Sequence, residues 1–544
     1  METFGDFHDF YLKLDVCLLA DVLTSFRKTC LEAYKIDCCH MYTAPGLAYK
    51  AMLRMTRVTL ELLTDPDMLL MIESGIRGGL VQCVTRYAKA NNPHLINTAD
   101  YDPNEKQSWL LMLDAINLYG ASQSKYLPTG HFQFVESPEN LDWSSVSSDN
   151  PTGYILECDL KVPDNVHDRL QYLPPLPELE APPGSKDKKL LATLKDKTKY
   201  VAHYSVFQQA VKLGLIVTKV HRAISFSQSP FMKKFVDFNA EMRAKSTNEF
   251  YKSIFKLMNN ANYGRLLMNK RNHRDVRIVT KDSTLQKLIR NPQFVEHVII
   301  DQNIVLVYMQ RKTVILNAPI YAGMCVLDLS KVHMYQFYYD VLCNHFTDKE
   351  LRLQYTDTDS YLLHLTTDRD LFQVLKQPTL AAYLDMSVYP VGHPLKDDTN
   401  KGKIGCFKDE SRLGKHIQEY VGLRSKMYIY RYGSDESEIE FTSKKAKGIK
   451  SSYVKRYLSF EDYKRTLFEG FEPEKAEFNL IQSRLFRITT KTVVKRSLSA
   501  SDNKRVITND RINTLPYGHY KLRTITEEPT AEEDSNENND NDII

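Results

Sequence analysis

The stretch that decides the reading runs from Leu353 to Leu365, LQYTDTDSYLLHL. Two hydrophobic runs flank Asp357 and Asp359, a pattern that predicts strand, tight turn, strand, with both acids at the tip. Strand side chains alternate with period two, so positions 357 and 359 are expected on one side of the chain. Neighbouring carboxylates repel and stay ionised at low cost only with a cation between them, or between one of them and a third acid. The same letters also fit a polar turn that contains two aspartates by chance.

A third acid is available. The run SWLLMLDAINLYG (Ser108 to Gly120) is a short, continuously apolar segment closing on Asp114, which predicts a buried strand ending at solvent. Asp114 equally fits a helix cap for AINLYG. Taken together, three carboxylates from a strand end and a hairpin tip could hold two divalent ions about 4 Å apart, as phosphoryl transfer requires. Hard oxygen ligands favour Mg2+, with Mn2+ as a substitute.

Counter-charge comes from Ser229 to Gly264, where the pattern predicts two antiparallel helices broken near Ser246 to Asn248. Lys252, Lys256, Asn260, Tyr263 and Gly264 share a face of the second helix, with Arg243 and Lys245 upstream. That face reads either as a solvated basic surface or as a grip on a triphosphate with an aromatic ring against the base. No Walker-type glycine loop is present, so side chains and metal would have to do the gripping.

The remaining sequence limits the class of protein. At 544 residues, 63.0 kDa and 42% hydrophobic residues, a large core and several domains are expected. No apolar run approaches the roughly 20 residues that span a bilayer, and the start METFGDFHDF lacks a signal-peptide layout; the expectation is an intracellular protein with no membrane partner. Nine scattered cysteines without a CxxC pair indicate reduced thiols, and Cys38-Cys39-His40 is the one cluster. The last nineteen residues, TEEPTAEEDSNENNDNDII, carry eight acids and no bases and read as disordered; without them the net charge rises from +4 to +12. Such a body can attract a polyanion.

Coarse periodicity predicts helices over residues 1 to about 75, a glycine break at GIRGGL (Gly75 to Leu80) and a proline-rich loop from Tyr172 to Leu190. It further predicts a hairpin in HVIIDQNIVLVYMQRKTVIL (His297 to Leu316), then an amphipathic helix capped by Asp328 in DLSKVHMYQFYYDVLC.

The segments DAINLYG (Asp114 to Gly120), KLMNNANYG (Lys256 to Gly264) and YTDTDS (Tyr355 to Ser360) resemble motifs A, B and C of the family B DNA polymerases, in the family's order. Motif A departs at Asn117 and Gly120, where serine and proline are usual. GIRGG resembles the YxGG motif of the protein-primed branch, with Ile76 in place of tyrosine, and KKAKGI (Lys444 to Ile449) is similar to its primer-holding lysine motif. Long intervals between the motifs leave room for that branch's insertions, and phrases such as LYGASQSKYLPTGHF look most like the versions in viruses and in Maverick or Polinton elements.

The resemblance implies an α/β (α+β) right-hand core with palm, fingers and thumb, plus a remnant of a 3′-5′ exonuclease domain. The implied layout is an exonuclease end and linker (1–75), palm (76–135), a palm insertion similar to a terminal-protein region (136–230) and fingers (231–270). A further insertion with palm (271–320), palm (321–440), thumb (441–525) and the acidic tail (526–544) complete it. Asp114, Asp357 and Asp359 are then the catalytic acids, with Asp114, Asp359 and the Ala115 carbonyl as metal ligands. Tyr119 is implied as a steric gate; Arg243, Lys245, Lys252 and Lys256 as triphosphate contacts; Asn260 and Tyr263 as monitors of the nascent pair. Arg77, Gly78, Gly79, Gly264, Tyr355, Thr356, Lys444, Lys445, Lys447 and Gly448 are implied as DNA contacts.

Implied partners are template and primer DNA, deoxynucleoside triphosphates and a terminal-protein primer, with replication of a viral or mobile element and a nuclear setting as one expectation. YLKLD, with Tyr11 and Asp15, resembles the third exonuclease motif, yet no D-x-E motif precedes it. The expectation is an N-terminally shortened chain that cannot trim a mismatched primer end. Two rival readings are an idle nucleic-acid-binding remnant and a reverse transcriptase or RNA polymerase with a similar palm; DTD in place of Y-x-D-D, together with Tyr119, weighs against the latter.

Overall fold

Six strands make the sheet that carries all three acids, in the order Val81–Cys83, Leu351–Asp357, Ser360–Thr366, Ser108–Ala115, Phe407–Asp409, Leu384–Asp385. All pairs are antiparallel except the last. The computed structural model of the chain describes residues 3–95, 101–410, 415–434, 440–484 and 487–525; the acidic tail expectation lies outside them. Trp109, Leu111 and Leu113 join Leu353, Leu363 and Leu365 in one core cluster beneath the sheet, while Leu110 and Leu362 bury on the opposite face. A strand buried on both faces has no use for polar alternation, so SWLLML reads as an unbroken apolar run.

The Ser229–Gly264 stretch is two helices, Lys233–Lys245 and Glu249–Leu266, separated at Ser246 and restarted by the Asn248 side chain, which caps the second by accepting the Phe250 N–H at 2.8 Å. They pack on the Ala44–Thr56 helix and share a second core cluster with it. Buried amides lock the packing. The Tyr34 hydroxyl donates to Asn239 Oδ1 at 2.6 Å, Asn239 Nδ2 to Asn259 Oδ1 at 2.9 Å, and Asn262 Nδ2 to Gln123 Oε1 at 2.8 Å.

Residues 152–229 supply three strands of a four-stranded antiparallel sheet completed by Leu127–Phe134. The His297–Leu316 stretch forms the hairpin Phe294–Asp301 with Ile304–Met309. Downstream, Met427–Ser434 lies between Glu419–Arg424 and Glu440–Ala446 in a separate four-stranded sheet, against which the Ser451–Tyr457 and Phe460–Phe468 helices pack. No described helix is long and apolar enough to cross a membrane.

Two local expectations are corrected. The helix expected to start at Asp328 runs from Ile320 to Gln336, and Asp328 is buried inside it, its Oδ2 accepting the His203 N–H at 3.0 Å. The residues ahead of Asp328 are nearly all apolar and buried, so no 3.6-residue period marked them as helix. The proline-rich loop contains a small antiparallel pair, Glu178–Glu180 with Lys189–Leu191.

The hairpin turn is strained. Thr358 has φ 63°, a region β-branched residues seldom occupy, and its N–H is held by the Leu80 carbonyl at 2.8 Å. Gly79 makes room for it: a Cβ there would stand 2.4 Å from Thr358 Oγ1, whereas one at Gly78 would meet nothing. Gly79→Ala should therefore cost about 1–3 kcal/mol in denaturant unfolding through overpacking, while Gly78→Ala stays within about 0.5 kcal/mol of the parent.

Candidate active site

The register Ser360↔Asp114 sets the hairpin tip beside the end of the central strand, and the Ala115 N–H donates to the Asp359 carbonyl at 2.7 Å. Asp114 and Asp359 are thereby neighbours through backbone pairing alone. Burial first, then the Asp359 and Glu410 charges, push the Asp114 carboxyl up to about 7, with Lys256 and Lys408 pulling it down. Asp359 is also raised, by burial and by Asp357, against Lys426 and Lys256.

Asp357 is held differently. Lys426 Nζ lies 3.0 Å from its carboxylate, and the Lys426 N–H donates to the Tyr355 hydroxyl at 2.9 Å. Of the two arrangements the sequence left open, the backbone register sets Asp359 beside the third acid, Asp114, while Asp357 is bound to a lysine from the turn between the Glu419–Arg424 and Met427–Ser434 strands. Lys256 makes no hydrogen bond among the described residues, although both Asp114 and Asp359 feel its charge.

The motif A departures fit each other. Asn117 sits at φ 49°, ψ 55° and caps the Leu118–Gln123 turn of helix by accepting the Gly120 N–H at 3.2 Å. A Cβ at Gly120 would stand 2.2 Å from the Asn117 amide, so this asparagine requires that glycine. The turn presents Tyr119, whose ring stacks on Tyr263 with centroids 4.4 Å apart and planes 7° apart. Burial, then the two hairpin aspartates, pushes the Tyr119 hydroxyl up to about 12. Asn260 and Gly264 lie exposed on the same helix as Tyr263.

Several implied contacts are placed elsewhere. Arg77 is buried, donating to the Gly75 and Val201 carbonyls and lying 3.8 Å over the Tyr200 ring, so its guanidinium is engaged within the fold. Tyr355 and Thr356 are buried in their strand. Lys444 caps the Ser451–Tyr457 helix, donating to the Leu458 carbonyl at 2.6 Å and to that of Lys455. Lys245 pairs with Glu241, and Lys252 with Glu249 at 2.7 Å, both on exposed surface; Arg243 makes no such pair. Tyr11 and Asp15 lie on the exposed part of the Phe4–Tyr34 helix, and no described three-donor cluster includes Asp15.

Lys445, Lys447 and Gly448 line a groove of about 590 Å³ together with Asp357, Lys426, Tyr428 and Lys455. Lys426, Lys408 and Glu410 carry no signal in the sequence, because only strand pairing brings those distant positions to the acids. The donor set suits a hard divalent cation: the Asp114 and Asp359 carboxyls are both raised by burial and by a neighbouring carboxylate, a penalty that a cation between them would relieve.

A right-hand polymerase palm is what this sheet and its acids define. The family model of DNA polymerase type B, organellar and viral, matches residues 8–341, more than half of the chain, and the chain belongs to that family. The match includes Asp114 and the Lys256–Gly264 helix and stops before the hairpin. Among solved structures, the chain is similar to Phi29 DNA polymerase complexed with primer-template DNA and incoming nucleotide substrates, with 16% identity, TM-score 0.50 and coverage of 84% of this chain and 68% of that one. An orthorhombic crystal form of the same polymerase gives 16% identity, TM-score 0.49 and the same coverage. No curated protein matches the sequence.

An acid whose folded-state pKa is raised keeps a proton that the unfolded chain has already released. Stability therefore falls as pH rises from about 4 to about 7, and the full penalty applies above that window. In metal-free buffer at pH 8, Asp114→Asn should be more stable than the parent by about 1 kcal/mol after solvent screening, and the gain should vanish at pH 4; paired denaturant melts at the two pH values check this.

Proposed function

We propose that the chain is a DNA-directed DNA polymerase, a nucleotidyltransferase that adds deoxynucleotides to a primer 3′-hydroxyl in the replication of a virus or virus-like element. The observation that carries this reading is the hairpin register, which brings Asp359 against Asp114 with the Lys256 charge in reach of both. When bound, two Mg2+ ions, or Mn2+ in their place, would lower the pKa of the attacking hydroxyl and stabilise the leaving pyrophosphate oxygen. Asp114, Asp359 and the Ala115 carbonyl are the proposed ligands.

Around that centre the chain's own groups orient the reactants. Lys256, with Arg243, neutralises the triphosphate; both lack competing ion pairs among the described residues. Tyr119, locked against Tyr263, lies under the sugar and excludes a ribose 2′-hydroxyl. Asn260 and Tyr263 border the nascent pair. Lys426 holds Asp357 beside the primer end, and the groove of Lys445, Lys447 and Gly448 takes the primer backbone through phosphate contacts, which are indifferent to sequence and weakened by salt.

The branch resemblance adds a protein hydroxyl as the initiating primer, which makes a terminal protein a proposed partner and the nucleus a proposed setting. An idle nucleic-acid-binding remnant is the competing reading. Primer extension on a primed DNA template with Mg2+ separates them: the parent chain should extend, and Asp359→Asn should lower the rate by about a thousandfold or more. DNA binding by both proteins without extension by either would favour the remnant.

Tyr119→Ala tests the gate. Single-turnover incorporation of ribonucleotides relative to deoxynucleotides should rise by about tenfold or more, the scale of losing one to three kcal/mol of steric discrimination.

A further inference from the structure

The Cys38-Cys39 pair, unremarkable in sequence, is joined in the fold by two further donors. The Phe4–Tyr34 helix brings Cys30, fully buried, beside Cys38, whose charge adds to burial in pushing the Cys30 thiol up. The ligand atoms of Asp37, Cys38 and Cys39 all lie within 4.8 Å of one another. Two thiols and a carboxylate thus converge where the first helix turns toward the Ala44–Thr56 helix, with the Cys30 thiol beside them, and Cys30 and Cys38 belong to a core cluster separate from the one beneath the acid-bearing sheet.

We infer that Cys30, Cys38, Cys39 and Asp37 form a structural site for a thiophilic divalent cation of the zinc class. Tetrahedral zinc with bonds of about 2.3 Å to sulfur sets its sulfurs about 3.8 Å apart; the ligand atoms of Asp37, Cys38 and Cys39 already lie within 4.8 Å of one another, and Cys30 closes in from beside them when the ion binds. The set is soft, which excludes the hard cations proposed for the palm. Three thiolates and a carboxylate on a divalent ion leave a charge of minus two, and Arg27 supplies part of the balance. Its Nε donates to both Asp37 oxygens at 2.9 and 3.0 Å, while the Cys39 N–H donates to Oδ1 at 3.0 Å, an outer layer that orients the carboxylate.

Access fits as well: Cys38 is nearly buried, Cys39 is exposed, and an ion can enter from the Cys39 side. Binding releases the three thiol protons to solvent and forms three metal–sulfur bonds, with no change of oxidation state. The site stands one helical turn from Tyr34, whose hydroxyl anchors Asn239 of the first fingers helix. A bound ion therefore clamps the corner on which the fingers rest. No other described group of cysteines, histidines and acids brings its ligand atoms this close.

The test uses the reduced, metal-free full chain titrated with Zn2+ in excess Mg2+, so that hard-oxygen sites are filled. One zinc per chain should resist a weak chelator, cobalt substitution should give a thiolate charge-transfer band, and zinc should raise the melting temperature. Cys39→Ser, at an exposed position, and Cys30→Ser should each weaken binding by about tenfold or more and abolish the thermal shift. Cys17→Ser, exposed and remote from the cluster, should behave as the parent. Absence of tight zinc and of the cobalt band overturns the inference, as does zinc binding that survives both Cys39→Ser and Cys30→Ser unchanged.

Discussion

The bond from the Ala115 N–H to the Asp359 carbonyl, 2.7 Å long, fixes the chemistry of this molecule. It extends an antiparallel register running back to Thr366↔Ser108 and sets one carboxylate against another. Slipping that register by one residue would turn Asp114 and every neighbouring side chain to the opposite face. The apolar pairs beneath, Leu363 with Leu111 and Leu365 with Trp109, oppose such a slip because it would expose them. Hydrophobic burial thus sustains an arrangement that is electrostatically unfavourable on its own.

The unfavourable part is distributed among neighbours. Asp114 and Asp359 are raised by burial and by nearby carboxylates, while Lys256, Lys408 and Lys426 approach from three separate segments. Thr358 stores backbone strain at the tip, held in place by Leu80 and accommodated by Gly79. Glycine at 79 thus has a packing reason of its own, beside the DNA contact that the family resemblance implied. Arg77, implied by the same resemblance as a DNA contact, has its guanidinium buried among carbonyls and against a ring.

Buried amides perform a second structural task. Asn239, Asn259, Gln123 and Asn262 link the Lys233–Lys245 and Glu249–Leu266 helices to the short helix that carries Tyr119, and each buried amide hydrogen bond makes a shifted packing costly. The stacked Tyr119–Tyr263 pair sits on this frame. In the sequence, Asn260 drew attention because it shares a face with Lys256, whereas Asn259 and Asn262 on the buried side do the locking.

Periodicity in the sequence settled the apolar central strand, the acid-tipped hairpin and the broken pair of helices, because each depends on neighbours within about twenty residues, and the order of three short motifs pointed to the family. Tertiary structure decided what distance along the chain conceals. It determined that Lys426 binds Asp357, that Glu410 and Lys408 flank Asp114, that Asp328 lies inside a helix, and that Arg77, Tyr355 and Thr356 face inward. Sheet pairing joins strands hundreds of residues apart, and burial reassigns a charged or aromatic side chain from solvent to core; neither is encoded in local spacing.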